Sequence, residues 1–151
     1  MRMRNFKSEE FAKNHPGGRL GKNLNLKIQD IMRSGKDIPL IKKQKKLKDV
    51  LIEMTNKNMG CVIIANHKDN AVGFFTDGDL RRAINKLLDI HETPIEKIMG
   101  KKFLACVAGD YATDILNVMN KNKINSLPVL DEKNKIIGVV NMHILIEAGI
   151  S

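Results

Sequence analysis

No apolar run in the sequence approaches the ~20 residues that cross a bilayer, and the opening MRMRNFKSEEF has no apolar signal core. These absences argue against a membrane span and a secretory leader, and make a cytoplasmic location the expectation. Cysteine is scarce: Cys61 and Cys106 lie far apart in the apolar runs CVIIA and FLACV, with no CxxC spacing. They read as reduced core residues, without a redox or disulfide role. The four histidines, His15, His67, His91 and His143, have no metal-ligand spacing, and no Ser or Cys has a basic neighbour suited to activating it. The sequence therefore offers no metal centre and, apart from the lone His15, nothing that argues for catalysis.

Aromatics make up 4% of residues, and none interleave the densest basic cluster, Lys42, Lys43, Lys45, Lys46 and Lys48. Base stacking needs such aromatics, so this cluster reads as a solvated basic edge and nucleic acid is not an expected partner. The formal charge of +9 is unevenly spread: residues 1–27 carry +5, residues 28–94 +3 and residues 95–151 +1.

What is present is a frame used twice. With 151 residues, 42% of them hydrophobic, the chain suffices for one compact domain or two small subdomains. Residues 73–84, GFFTDGDLRRAI, pass from an apolar strand through a polar turn into a helix with apolar Leu80, Ala83, Ile84 and Leu87 on one spacing. Thr76 is placed as N-cap, and Asp79, three residues on, completes a capping box. The same N-terminus, with unpaired N–H groups and a positive dipole end, also holds hydroxyls or phosphates readily.

Sixty-five residues later the frame returns. IQDIM at 28–32 recurs as IEKIM at 95–99, and short extended pieces follow at 38–41 and 103–107. Amphipathic helices come next, with apolar Leu47, Val50, Leu51 and Met54 matched by Ala112, Ile115, Leu116 and Met119. Each copy then has a strand (61–65, 126–130), a polar turn (66–70, 131–134), a strand reaching Gly73 or Gly138, and a closing helix (78–88, 142–148). The order is β-α-β-β-α in each copy. Strands joined by a tight turn pair antiparallel, two helices cover one face of a small sheet, and so little core belongs to each copy that the two pack together. An α+β pair with pseudo-twofold symmetry and a cleft between its copies is expected, with repeats at 28–94 and 95–151. Ahead of them, a short helical piece is broken by Pro16, Gly17, Gly18 and Gly21, and His15 reads as an exposed turn residue; residues 1–27 look like a linker entering from a larger protein.

These motifs resemble a tandem pair of CBS domains, above all the closing pattern Gly-x-x-Thr-x-x-Asp-Leu at 73–80 and SLPVLD at 126–131. A narrower resemblance, carried by FAKNHPGGRLG (11–21), FTDGDLRRAI (75–84) and MHILIEAGI (142–150), is to the C-terminal part of arabinose 5-phosphate isomerases. Those enzymes serve Kdo and lipopolysaccharide synthesis and carry a sugar isomerase (SIS) domain before the CBS pair. The resemblance implies that residues 1–27 contain the end of an SIS domain otherwise absent here, and that His15 matches that domain's active-site His. It implies no catalysis by this fragment within a sugar-phosphate isomerase parent.

The resemblance further implies no resident cofactor and a regulatory nucleotide, AMP or ATP or a CMP-linked sugar, in the inter-repeat cleft. Thr76 and Asp79 would hold ribose hydroxyls, a carboxylate accepting from both members of a vicinal diol. Asp77 would line the site beside them, the helix N-terminus and Arg81 or Arg82 would face the phosphates, and Gly60, Cys61, Val62, Ile63, Ile38 and Pro39, with Leu40, would flank the base. The second copy departs, with Asn141 for Thr and Ile144 for Asp; Asn still caps a helix, but Ile144 accepts nothing from a diol. A degenerate second site of Asn141, Ile144 and His143, poor for ribosyl ligands, follows. The alternative is a purely structural module that holds a homodimer together.

Overall fold

The computed structural model describes residues 25–151; the broken N-terminal helix and His15 lie outside them. In the first repeat α1 (Ile28–Ile31) and a 3-10 turn (Gly35–Asp37) lead to β1 (Leu40–Lys42), α2 (Leu47–Lys57), β2 (Cys61–Ala65), β3 (Ala71–Thr76) and α3 (Asp77–Asn85). The second repeat runs from a 3-10 turn (Ile95–Lys97) to α4 (Ala112–Asn122), β4 (Ser126–Leu130), β5 (Ile136–Asn141) and α5 (Met142–Glu147). The architecture is α+β.

β2 pairs with β3 antiparallel, in the register Cys61↔Thr76 and Ile64↔Gly73, and with β1 in parallel, Leu40 facing Ile63. β4 and β5 repeat this with Ser126↔Asn141 and Val129↔Gly138, and even the register shift recurs, after Ile64 and after Val129. Where the first repeat has β1, the second keeps a parallel bridge, Cys106↔Val129. The repeated middle helices both stop at a left-handed residue, Asn58 (φ 54°) and Lys123 (φ 56°).

Strand alternation explains why β2 is buried on both faces. Val62 and Ile64 point, with Phe75, at Leu47, Val50 and Met54 of α2 and Ala83 of α3. Cys61 and Ile63 point the other way, with Phe74, at Phe103, Ala105, Leu130 and Val139 of the second repeat. The second sheet is covered likewise, Leu127, Val129 and Val140 lying under Ile115, Met119 and Leu145. The Phe74 and Phe103 rings meet at 5.9 Å between centroids, and an antiparallel bridge joins Asn70 to Lys135, its own counterpart at offset 65.

The opening turns are exchanged. Ile28 is fully buried in the core of the second repeat, and its N–H donates to the Asp110 carbonyl at 2.9 Å. Farther on, Arg33 and Val139 exchange two backbone bonds of 3.0 Å. Conversely Ile95 is fully buried in the first repeat, its N–H bonds the Lys45 carbonyl at 3.0 Å, and Gly100 and Phe74 exchange bonds of 2.8 and 2.9 Å. Emptying either Ile site by truncation to Ala would cost about 2–5 kcal/mol.

The closing helix is shorter than its apolar spacing predicts. Beyond Asn85 the chain turns at Leu87 (φ 58°), leaving Ile84 52% and Leu87 90% exposed. Only Ala83 and, partly, Leu80 face the core.

Candidate functional site

At the junction of β3 and α3 the capping box is present in full. The Thr76 N–H donates to Asp79 Oδ2 at 2.9 Å and the Thr76 hydroxyl to the same oxygen at 3.2 Å, while the Asp79 N–H reaches Thr76 Oγ1 at 3.5 Å. The other carboxylate oxygen, Asp79 Oδ1, accepts from Arg82 Nη2 at 2.6 Å. Across the strand ends the Asp77 N–H donates to the Gly60 carbonyl at 3.2 Å. Gly60 has φ +73°, which calls for glycine, and an added Cβ would stand 2.9 Å from Asp77 Oδ2 and turn that carboxylate aside.

This junction forms one wall of an inter-repeat cavity of about 690 Å³, within the ~300–1,000 Å³ of small-molecule sites. Gly60, Thr76, Asp77, Asp79, Arg81 and Arg82 line it from the first repeat. The facing wall comes from Gly100, Lys102, Phe103 and Leu104 and from the end of α4 into β4, Asn122 to Leu127. Four cationic side chains and two carboxylates thus surround a floor of Met59, Phe74, Phe103, Leu104 and Leu127. An anionic ligand with one flat apolar part matches that distribution.

Other residues assigned to the site from the sequence lie elsewhere. Cys61, Val62 and Ile63 are fully buried and do not line the cavity; burial pushes the Cys61 thiol up to about 11, against a smaller opposing effect of its hydrogen bond with Ser126. Ile38 and Pro39 are buried as well and contribute nothing to this wall. The exchange of opening turns is the reason: it brings residues 100–104, instead of 38–40, opposite Thr76. Element order within one copy cannot reveal this, although the offset of 67 between IQDIM and IEKIM pairs Gly100 with Arg33 and marks the equivalence.

That pairing explains why the second cleft differs. Where Gly100 leaves space beside Phe74, Arg33 stands beside Val139, and its Nη1 donates to the Lys57 carbonyl at the end of α2 at 2.7 Å. Lys57 in turn bonds Glu53 at 2.7 Å and the Ile38 carbonyl at 3.4 Å. Asn141 caps α5 by accepting from the Ile144 N–H at 2.8 Å, and half-buried Ile144 packs against the inter-repeat cluster containing Ile38 and Met59. His143 points outward, its side chain 75% exposed and 3.2 Å from Glu147. Among the described residues no group of three or more His, Cys, Asp or Glu is placed to hold a metal ion, and no helix is long and apolar enough to cross a membrane.

Exchanged repeats around a cleft of this kind are the architecture of a CBS pair. The family model for the CBS domain matches residues 28–86 and 95–151, and the chain belongs to that family. Among its relatives is the arabinose 5-phosphate isomerase KdsD of Pseudomonas aeruginosa, 37% identical over 147 residues, 97% of this chain and 45% of that protein. KdsD of Escherichia coli K12 is 39% identical over 150 residues, 99% of this chain and again 45% of the relative. The chain thus spans about half the length of the curated relatives it matches. Among solved structures, an uncharacterized conserved protein from Pyrococcus horikoshii superposes with a TM-score of 0.73 at 25% identity, covering 83% of this chain and 93% of that one. CBSX2, solved in complex with AMP, gives 0.72 at 20% identity, covering 82% and 95%; the CBS pair of MJ0100, with 5′-methylthioadenosine and S-adenosyl-L-methionine, gives 0.72 at 19%, covering 82% and 94%.

Proposed function

We propose that the chain is the regulatory CBS pair of an arabinose 5-phosphate isomerase and binds a nucleotide or nucleotide-sugar in the cleft at Thr76 and Asp79. The observation that carries this reading is the placement of that hydroxyl and carboxylate on the wall of a 690 Å³ cavity rimmed by Arg81, Arg82, Lys102 and Lys123. Ribose hydroxyls meet Asp79, phosphates or an acidic sugar meet the cations, and the base enters the apolar floor. The complexes of two like-folded chains with AMP and with S-adenosyl compounds support the ligand class. The identity with KdsD supports a sugar-phosphate isomerase parent whose SIS domain performs the reaction, with a Kdo-linked CMP as a chemically sensible feedback ligand. Thermal unfolding with AMP, ADP, ATP, CMP and CMP-Kdo tests it. At a hundred times its dissociation constant the ligand stabilises by about 2.7 kcal/mol; no shift with any of the five at millimolar concentration would remove the sensing role.

Exposed apolar side chains support a second, compatible reading. Ile84 and Leu87 at the end of α3 and Ile146 on α5 stand 52–90% exposed, as suits association of two copies into a homodimer. Light scattering that finds a monomer at high concentration overturns it.

A further inference from the structure

Resting on the reading of this cleft as a ribosyl site, we infer that Arg82 is an exchangeable latch, paired with Asp79 until a ligand binds and transferred to the ligand's phosphate when ribose takes its place. An ionised carboxylate offers about four acceptor positions. On Asp79, Oδ2 already receives the Thr76 N–H and hydroxyl, and Oδ1 receives Arg82 Nη2 at 2.6 Å. A vicinal diol brings two donors, so it cannot be accommodated while all three partners stay.

The partner that leaves is settled by burial and connectivity. The Thr76 N–H contact is half of the helix cap, and the Thr76 hydroxyl oxygen is held beside it by accepting the Asp79 N–H, the other half. Arg82 is 66% exposed at the side chain against 20% for Asp79, and an exposed i,i+3 pair is held weakly. Arg82 itself belongs to the last turn of α3, and its guanidinium reaches back along the helix to the first-turn carboxylate, where Asp79 Oδ1 is its hydrogen-bond partner. Its path is open: it lies over Gly78, where even an added Cβ would be 3.5 Å from Arg82 Nη2. On its far side a cavity of about 170 Å³ is rimmed by Lys86 and Lys97, whose like charge turns a released guanidinium back toward the main cleft. There a phosphate on the same ribose offers the two oxygens that a guanidinium fork grips.

Such an exchange selects for ligands carrying diol and phosphate together. A nucleoside dislodges Arg82 and gives it no new partner; a nucleotide gives it one. Isothermal titration with AMP and adenosine, on wild type, Arg82→Gln and Arg81→Gln, tests this. Arg82→Gln is expected to tighten adenosine severalfold, because Asp79 is freed, and to weaken AMP about tenfold through loss of a charge-assisted contact. Arg81→Gln is expected to weaken AMP while leaving adenosine unchanged. Because the Thr76–Asp79 cap does not involve Arg82, both variants retain the helix, as circular dichroism would verify. Adenosine binding that stays the same or weakens in Arg82→Gln overturns the latch while the nucleotide site stands. Wild type that binds neither AMP nor CMP, nor their nucleosides, removes the site and the latch together.

Discussion

Cys61 and Ser126, the first residues of β2 and β4 and counterparts at offset 65, stand close enough for the Ser126 side chain to lower the Cys61 thiol's pKa against the larger, opposing effect of burial. Both are buried, so equivalent strand starts of the two repeats meet inside the protein. Ser126 also lines the open cleft, which makes the junction the inner end of the site.

The thiol's protonation gives the first prediction. Burial holds the Cys61 proton up to about pH 11 in the folded chain, against 9.0 as the ordinary value. Between those values the folded chain keeps a proton that the unfolded chain releases, so this group's stabilisation, complete below pH 9, is lost as pH rises toward 11. Chemical denaturation at pH 8 and 10.5 is expected to show a smaller loss for Cys61→Ala than for wild type. At pH 8 both cysteines should resist alkylation until denaturant is added.

Asp79 has two jobs that substitution separates. Asp79→Ala removes half of the capping box and is expected to lower stability by ~1 kcal/mol, a fall of about 2–4 °C in Tm. It should also abolish the ligand-induced thermal shift. Asp79→Asn retains an acceptor for the Thr76 N–H and should recover most of the stability without recovering the shift.

Glycine at 73 is a packing requirement. A Cβ there would stand 2.8 Å from Met99 Cγ, so Gly73→Ala drives a wedge between β3 and the opening turn of the second repeat. Urea denaturation should show a loss of about 1–3 kcal/mol. Gly109→Ala, which meets nothing within 4 Å, is the matched control and should stay within about 0.5 kcal/mol.

The two clefts predict one ligand per chain. Ile144→Asp supplies the missing carboxylate but leaves Arg33 bonded across the cleft to Lys57, and it places a charge against the inter-repeat core. Calorimetry should therefore still find a single site, on a protein destabilised by more than ~1 kcal/mol.

Most of the fold was legible because its signals are local. The apolar strand runs, the Asn66 and Asp131 turns and the helix caps at Thr76 and Asn141 each lie within a few residues, and repetition at offset 65 checks every one. The facing wall of the site was not legible, since nothing near Phe103 or Lys102 says that they stand opposite Thr76. Ile84 and Leu87 misled for a related reason: helical spacing reveals which residues share a stripe, while how far the neighbouring sheet extends beneath it depends on tertiary packing. The difference between the clefts was half legible, in Ile144. The other half, Arg33 against Gly100, appears only once the two opening turns are aligned at their own offset.

The exchange of opening turns means that the unit repeated in sequence and the unit that folds are different objects. A chain cut between residues 86 and 95 would give an N-terminal piece whose Ile28 has no core to enter and whose own core lacks Ile95. Each piece would lack the residue that closes its own core, so the pair is interlaced, and a single cooperative melting step is the expected outcome of thermal unfolding.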